Sequence, residues 1–401
     1  MSRSPSVPGS WTDNENPKHI SFPAHKNAVV TCLIFSHGRI ISASDDHSIL
    51  VWSPATGKLL MSLDGHNGGI WAIAGTSQNS LASGSTDRTL RIWDLTTGRC
   101  THIFGGHTST VRCLNIVEPE WLDMEGPGGV ITREKWPKRS LVVTGSRDHS
   151  LRVWALPRAE DAEYGISEEN RDHAAHDPAD EDVTSNPFHM LHLEGHENAV
   201  RGLAARGRMA ISGSYDCTLR VWDIITGECK RVLLYSVALD TSRNQAYSGS
   251  MDSTVRVWDL ITGECRYTLT GHTSLVGLLG ISSSYLVSAA ADSTLRVWDP
   301  DAGQLLHVLE GHTGAVTCFQ HDEVKVLSGS DGSLKIWDPR DGTAIRDLLT
   351  GITGVWQVVF EGRWCVAASN LNNQSRLDVW DFGGDSEPDD IEAGTKGEEE
   401  N

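Results

Sequence analysis

The sequence lacks the features of a membrane, secreted or metal-binding protein. No apolar run approaches the roughly 18 residues that a membrane helix needs, and the N-terminal segment holds no signal-peptide core. The eight cysteines form no Cys-x-x-Cys pair, and six of them recur in two repeat positions, which indicates packing residues. These absences predict a protein of the nucleus or cytoplasm, with no cofactor, no metal and no membrane partner.

Basic residues are also few relative to acidic ones. The 34 Lys and Arg residues face 53 Asp and Glu residues, which gives a net charge of −19. Most of the excess lies in residues 155–190, with ten acidic residues, and in residues 383–401, with eight. Both segments are poor in aromatic and β-branched residues, which is typical of disordered chain. We expect disorder there and in residues 1–17. No basic stripe appears along the chain, so we expect no nucleic-acid partner.

Tryptophan and glycine are abundant instead, with 14 and 39 residues. Eight tryptophans recur at intervals of 36–43 residues, except for two longer intervals of 61 and 68 residues, and most follow Val or Ile and precede Asp: Trp52, Trp93, Trp154, Trp222, Trp258, Trp298, Trp337 and Trp380. A Gly-His or Ala-His pair precedes six of them in the chain. A Gly-His to Trp-Asp unit that forms four strands is the WD repeat. The sequence therefore predicts an all-β, eight-bladed WD-repeat β-propeller over residues 18–382.

The repeated polar residues fit a structural role. In the second repeat, LASGSTDRTLRIWD, apolar and polar residues alternate as strands require. His66, Ser83, Asp87 and Trp93 are residue types that form a buried hydrogen-bond chain. Because the same set recurs around the ring, we expect no catalytic or metal-binding role for it, and we expect the protein not to be an enzyme.

Three irregularities interrupt the repeat. Residues 118–139 are inserted between the first and second strands of the third repeat, and residues 155–190 follow its third strand. The fifth repeat lacks its Gly-His loop, so its blade is expected to be the weakest or locally rearranged. The last repeat lacks an outer strand, and residues 18–23 are predicted to supply it, since a closed ring leaves no open sheet edge.

Binding is expected on the loops at the rim of the channel, because the strands are held by the core. Two loop positions recur in each repeat. The position five residues after the His gives Val30, Trp71, Arg112, Arg201, Tyr235, Gly277 and Thr317. The position before the turn Asp gives Asp45, Thr86, Arg147, Tyr215, Met251, Ala291 and Ser330. Arginines and aromatic residues concentrate in the second to fifth repeats.

These arginines suggest an anion site. Arg112, Arg147 and Arg201 come from adjacent repeats, and guanidinium groups match phosphate or carboxylate oxygens with two parallel hydrogen bonds. Trp71, Tyr215 and Tyr235 would add flat apolar walls, and Arg88 follows the turn Asp of the second repeat. The alternative is three solvated surface arginines. The matching loop positions favour a pocket for the set.

Several segments resemble the propeller of the F-box/WD-repeat substrate receptors of SCF ubiquitin ligases, of the fungal cell division control type. They include GSTDRTLRIWDLTTGRCTHIFGGHTSTVRCLNIV, VVTGSRDHSLRVWALP, GHENAVRGL and SGSYDCTLRVWD, and the resemblance covers residues 18–382. It implies capture of phosphorylated Thr/Ser-Pro motifs for ubiquitination. By motif match it assigns Arg112, Arg147 and Arg201 to the phosphate, and Trp71, Thr86, Arg88, Thr110 and Tyr215 to the pocket walls.

The F-box that precedes the propeller in that family does not occur in this sequence. The resemblance therefore implies phosphorylated proteins as partners, and the SCF ligase core as a partner only of a longer product. A general WD-repeat scaffold without phosphate dependence is the alternative function. The arginine rim separates the two, because a scaffold has no need of it.

Overall fold

A computed structural model describes residue 11 and residues 17–125, 131–166, 185–216, 218–233, 238–240 and 242–383 of the protein. These residues form eight four-stranded antiparallel sheets and one two-stranded sheet. Each four-stranded sheet is one blade of an all-β propeller, and neighbouring blades pack through their inner strands. The predicted eight-bladed propeller is therefore confirmed.

The strands of each blade follow one another from the channel outward. The first four blades comprise β2 (Val30–Ser36), β3 (Arg39–Ser44), β4 (Ile49–Trp52), β5 (Leu59–Leu63); β6 (Ile70–Gly75), β7 (Ser80–Ser85), β8 (Leu90–Asp94), β9 (Cys100–Phe104); β10 (Val111–Val117), β13 (Leu141–Ser146), β14 (Leu151–Ala155), β15 (His189–Leu193); β16 (Val200–Arg206), β17 (Met209–Ser214), β18 (Leu219–Asp223), β19 (Cys229–Leu233).

The fifth to eighth blades have the same arrangement. They comprise β20 (Ala238–Asp240), β21 (Gln245–Gly249), β22 (Val255–Asp259), β23 (Cys265–Leu269); β24 (Val276–Ile281), β25 (Leu286–Ala290), β26 (Leu295–Trp298), β27 (Leu305–Leu309); β28 (Val316–His321), β29 (Val326–Ser330), β30 (Gly332–Trp337), β31 (Ala344–Ile352); β32 (Gly354–Glu361), β33 (Trp364–Leu371), β34 (Gln374–Asp381), β1 (Lys18–Pro23).

The core lies between blades. The second strand of each blade is buried on both faces over most of its length, as β7 and β13 show. Trp93 and Leu81 of the second blade pack against Ile41 and Ile49 of the first blade. This packing repeats around the ring, so each blade covers an apolar face of its neighbour.

A hydrogen-bond chain crosses each regular blade, as the sequence predicts. In the second blade, His66 Nδ1 lies 2.7 Å from Asp87 Oδ2, and His66 Nε2 lies 2.7 Å from Ser83 Oγ. The indole N–H of Trp93 donates to the same Ser83 hydroxyl at 2.8 Å. Equivalent chains start from His107, His196 and His272. In the seventh blade, whose turn is shorter, His312 instead pairs with Ser333 Oγ at 3.0 Å.

These chains should make the fold sensitive to acid. Burial lowers the pKa of His66, His107, His196 and His272, and burial lowers that of His312 to about 4. Burial opposes ionisation of Asp216, but hydrogen bonds from Thr218, Glu197 and His196 outweigh it and lower its pKa to about 2. These five histidines are therefore neutral, and Asp216 is charged, in the folded protein at pH 7.

We expect the free energy of unfolding to fall as the pH drops below about 6.5, where histidines of the unfolded chain gain protons. For each histidine that the fold holds neutral, the free energy of unfolding should fall by about 1.4 kcal/mol per pH unit, until the pH reaches the pKa of that histidine in the folded protein. A second loss follows between about pH 4 and 2 as the aspartates protonate. Urea titrations at several pH values measure this, and His312→Gln should reduce the slope above pH 4. A slope near zero between pH 6.5 and 4.5 would contradict it.

The N-terminal segment closes the ring. β1 pairs antiparallel with β34, from Lys18 opposite Asp381 to Pro23 opposite Arg376. Phe22 also packs on Trp52 of the first blade, with ring centroids 5.1 Å apart. The predicted pairing of the N-terminal strand with the last strand of the eighth blade is confirmed.

The prediction of an unpacked N-terminus is corrected at Trp11. Its ring stacks on Phe382 with centroids 4.0 Å apart, and its Nε1 donates to the carbonyl of Gly362 at 3.2 Å. Lys325 Nζ lies 4.6 Å from the Trp11 ring. An isolated Trp in a polar segment gives no periodic signal, so the sequence could not place it. Residues 1–10 and 12–16 lie outside the described residues.

The insert predicted over residues 155–190 is ordered at both ends. Ala155 ends β14 and His189 begins β15, while Phe188 is buried and stacks on Phe104 with centroids 5.3 Å apart. Tyr164 forms a bridge with His102 along the edge of β9. These apolar side chains explain the packing. The predicted disorder of residues 167–184 and 384–401 concerns residues outside the described ranges and stays a prediction.

The other two irregularities lie where the sequence places them. In the predicted insert, β11 (Glu120–Glu125) pairs antiparallel with β12 (Ile131–Trp136) between β10 and β13. Glu120 of the hairpin pairs with Arg206 of the fourth blade at 3.2 Å. In the fifth blade the inner strand β20 has only three residues. Residues 234–237 and 241 lie outside the described part of that blade.

Candidate functional site

The inner strands of three neighbouring blades carry a β-bulge at the same position. The register shifts between Ile70 and Ala72, between Val111 and Cys113, and between Val200 and Gly202. The residues left unpaired are Trp71, Arg112 and Arg201. A bulge redirects its extra side chain out of the ladder. The repeat thus builds one geometry in each blade, and the sequence varies only the side chain.

A backbone hydrogen bond joins each bulge to the turn after the second strand. The N–H of Thr86 donates to Gly69 at 2.9 Å, that of Arg147 to Thr110 at 2.9 Å, and that of Tyr215 to Ala199 at 3.0 Å. Each acceptor lies two residues before the bulged residue. The two loop positions that the sequence predicts therefore converge in space. Close approach requires Gly68, where a Cβ would lie 2.2 Å from Thr86 Oγ1.

The three arginines form a cluster of positive charge. Burial lowers the pKa of Arg112, and repulsion by Arg201 and Arg147 lowers it further. Arg112 is half-buried, while Arg147 and Arg201 are exposed. Within the described ranges, none of the three takes part in an ion pair. The cluster therefore has a charge that no ion pair with another described residue compensates.

The nearest carboxylates of the turns serve the fold instead. Asp148, next to Arg147, accepts from Thr108 N at 2.9 Å and lies 2.8 Å from His107 Nδ1. Asp216, next to Tyr215, binds His196 and Glu197 N in the same way. Among the described residues, these two carboxylates pair with histidines and form no ion pair with the three arginines.

Two aromatic rings contact the arginines. The Arg112 Cζ lies 4.2 Å from the centroid of the Trp71 ring, and the Arg201 Cζ lies 5.6 Å from that of Tyr215. Arg201 Nη1 also donates to the Tyr215 hydroxyl. Tyr215 remains 49% exposed. The rim therefore combines guanidinium groups with accessible apolar surface.

The remaining predicted site residues are placed as follows. Thr86 is exposed in its turn, and Thr110 is buried next to the third-blade bulge. Arg88 lies in the same turn as Thr86, half-buried and with a φ of 70°. Tyr235 lies outside the described residues. The structure thus brings eight of the nine predicted residues to one rim of adjacent blades, and their binding role stays a prediction.

Two assignments of loop position are wrong. In the first blade the bulged residue is Thr31, because its loop is one residue longer, and Val30 is buried opposite Ser44. In the seventh blade Ser330 ends β29, and its hydroxyl donates to Gly314 O at 2.8 Å. The shorter turn there leaves Asp331 as the residue after the strand. A count from the His or the Asp fails wherever a loop gains or loses one residue.

Sequence reasoning also missed residues of this rim. Trp356 is the bulged residue of the eighth blade, between Val355 and Gln357. Gly354-Val355-Trp356 repeats Gly69-Ile70-Trp71, which was an available signal, but the eighth repeat has no Gly-His to count from. Leu275, 37% exposed, accepts from Ala291 N in the sixth blade, as Thr110 does from Arg147.

With the fold and the rim described, the class of the protein is defined. The chain belongs to the family of WD domains, G-beta repeats, whose model matches six segments: residues 16–53, 57–94, 188–223, 225–259, 263–299 and 303–338. Residues 95–187, which include most of the third blade, and residues 339–401, which include most of the eighth, fall outside these matches.

The chain is similar to fungal proteins named for cell division. It is 46% identical to the Candida albicans Cell division control protein 4 over 89% of this chain and 52% of that protein. The Saccharomyces cerevisiae Cell division control protein 4 is 36% identical over 91% of this chain and 48% of that protein. The Schizosaccharomyces pombe WD repeat-containing protein pop2 is 41% identical over 92% and 51%. The predicted resemblance to propellers of this type is confirmed.

A solved structure shares the architecture. The computationally designed protein Ika8 superposes with a TM-score of 0.66 at 27% identity, covering 90% of this chain and 98% of that one. The chain spans about half the length of the curated relatives it matches. Across the described ranges, no helix is long and apolar enough to cross a membrane.

Proposed function

We propose that this rim is a phosphopeptide site that captures phosphorylated Thr/Ser-Pro motifs of protein substrates. The observation that carries the proposal is the cluster of Arg112, Arg147 and Arg201, whose charge no carboxylate compensates within the described residues. A phosphothreonine brings about −1.5 to −2 charges and three acceptor oxygens. Three guanidinium groups from two adjacent blades supply charge of the opposite sign and forked donors for these oxygens.

The apolar rim residues fit the rest of such a motif. Trp71, Tyr215 and Trp356 present aromatic surface, and Met251 is 66% exposed on the same rim. A proline after the phosphorylated residue and an apolar residue before it would contact these side chains. The arrangement favours a short extended peptide over a broad protein surface.

We further infer a role as substrate receptor of an SCF-type ubiquitin ligase, with action in the nucleus or cytoplasm. The similarity to proteins named Cell division control protein 4 supports this role. The protein itself would hold the substrate and perform no chemistry. In a product that carries an F-box, the ligase core would be a further partner.

Fluorescence anisotropy with two labelled peptides tests the phosphopeptide site. A Leu-Leu-phosphothreonine-Pro peptide is expected to bind at least about tenfold more tightly than its unphosphorylated form, because a hydrogen bond to a charged group contributes about 1.5–3 kcal/mol. Raising salt from about 0.05 M to about 0.5 M should weaken binding. Equal affinity for both peptides would favour the scaffold without phosphate dependence.

A further inference from the structure

Arg112 and Trp71 come from different blades and meet at the rim. The Arg112 Cζ lies 4.2 Å from the centroid of the Trp71 ring, which is the separation of a stacked guanidinium. Both residues are the bulged residues of their inner strands, β10 and β6, which are neighbours around the channel. Both side chains are half-buried. The contact therefore joins the second and third blades at the site.

Arg112 needs a contact that fixes its position, because the neighbouring positive charges of Arg147 and Arg201 repel it. Burial and repulsion by Arg201 and Arg147 lower its pKa. An arginine side chain is long and has many rotamers. A carboxylate partner would fix the side chain but would also neutralise it. The negative face of an indole ring attracts the guanidinium without cancelling its charge.

We propose that Trp71 is a positioning residue, which holds the Arg112 guanidinium ready for the phosphate, rather than only an apolar wall of the pocket. This inference rests on the proposed function. It also has a consequence for the ligand, because Arg112 covers one face of the Trp71 ring. A peptide side chain can use only the edge or the other face of that ring.

A double-mutant cycle separates positioning from a wall contact. The affinity of the Leu-Leu-phosphothreonine-Pro peptide is measured for Trp71→Leu, Arg112→Gln and the double variant, after thermal melts confirm folding. We expect each single substitution to lose at least about tenfold, and the double variant to lose little more than Arg112→Gln alone, since coupled residues are not additive. Trp71→Phe, which keeps an aromatic face, should recover most of the affinity.

Trp356→Leu is the matched control. Trp356 is the bulged tryptophan of the eighth blade, and no cation–ring contact among the described residues involves it. When Trp356→Leu is combined with Arg112→Gln, the fold-losses of peptide affinity of the two single variants should multiply, as they do for independent sites. If the losses of Trp71→Leu and Arg112→Gln also multiply, or if Trp71→Phe binds no better than Trp71→Leu, the positioning role is wrong.

The outcomes distinguish this inference from the proposed function. A wild-type protein that binds both peptide forms equally would overturn the phosphopeptide site and the positioning role with it. Phosphate-dependent binding that Arg112→Gln weakens, together with multiplying losses at Trp71, overturns only the positioning role. Should Trp71→Leu fail to fold, Trp71→Met replaces it, because methionine keeps much of the volume without a π face.

Discussion

Arg147→Ala and Arg201→Ala are each expected to weaken binding of the phosphothreonine peptide by about 2–5 kcal/mol, or roughly 30-fold to several thousandfold. Removing one partner of a desolvated charge pair leaves the other charge without compensation. The acidic segments of the chain should not reverse this effect, because at physiological salt charges beyond about 8 Å are largely screened. Anisotropy titrations at fixed salt measure the loss.

Arg99→Ala is the control for these variants. Arg99 is an exposed arginine on the opposite face of the second blade, where it pairs with Glu163 at 3.2 Å. Its removal lowers the net positive charge by the same amount, so unchanged affinity would show that position matters rather than total charge. If Arg112, Arg147 and Arg201 are replaced together and the phosphorylated peptide still binds as before, the site assignment is wrong.

Removing residues 1–23 is expected to lower the free energy of unfolding by on the order of 4 kcal/mol or more. The segment provides Trp11, Ile20 and Phe22, all packed on the core, and burial of each such side chain contributes about 1.5–3 kcal/mol. Its loss also exposes the ladder edge of β34, which invites association with other chains. Urea denaturation and light scattering measure the two effects.

Removal of residues 384–401, a segment of similar length, serves as the comparison. It is acidic and poor in apolar residues, so we expect nearly unchanged stability. A protein without residues 1–23 that unfolds at the same urea concentration as the full chain would show that the ring does not depend on β1 for closure.

Most of the fold could be predicted from the sequence, because the repeat occurs eight times along the chain. Most repeats carry the same types of buried residue, and His66, Ser83, Asp87 and Trp93 indicated a hydrogen-bond chain that the structure shows at 2.7–2.8 Å. The two predicted loop positions also lie next to each other in space, joined by backbone hydrogen bonds. Errors arose at Thr31 and Asp331, where a loop is one residue longer or shorter, because a count along the chain assumes the same loop length in every repeat.

By itself, the sequence determined the number of blades, the closure of the ring by the N-terminal strand and the three arginines of the rim, since all three depend on patterns that repeat along the chain. Only the tertiary structure decided which groups meet across blades. The stacking of Arg112 on Trp71 and the packing of Trp11 on Phe382 join residues that are far apart in the chain or lack a periodic signal. Such contacts depend on how neighbouring sheets pack, which a pattern within one repeat does not specify.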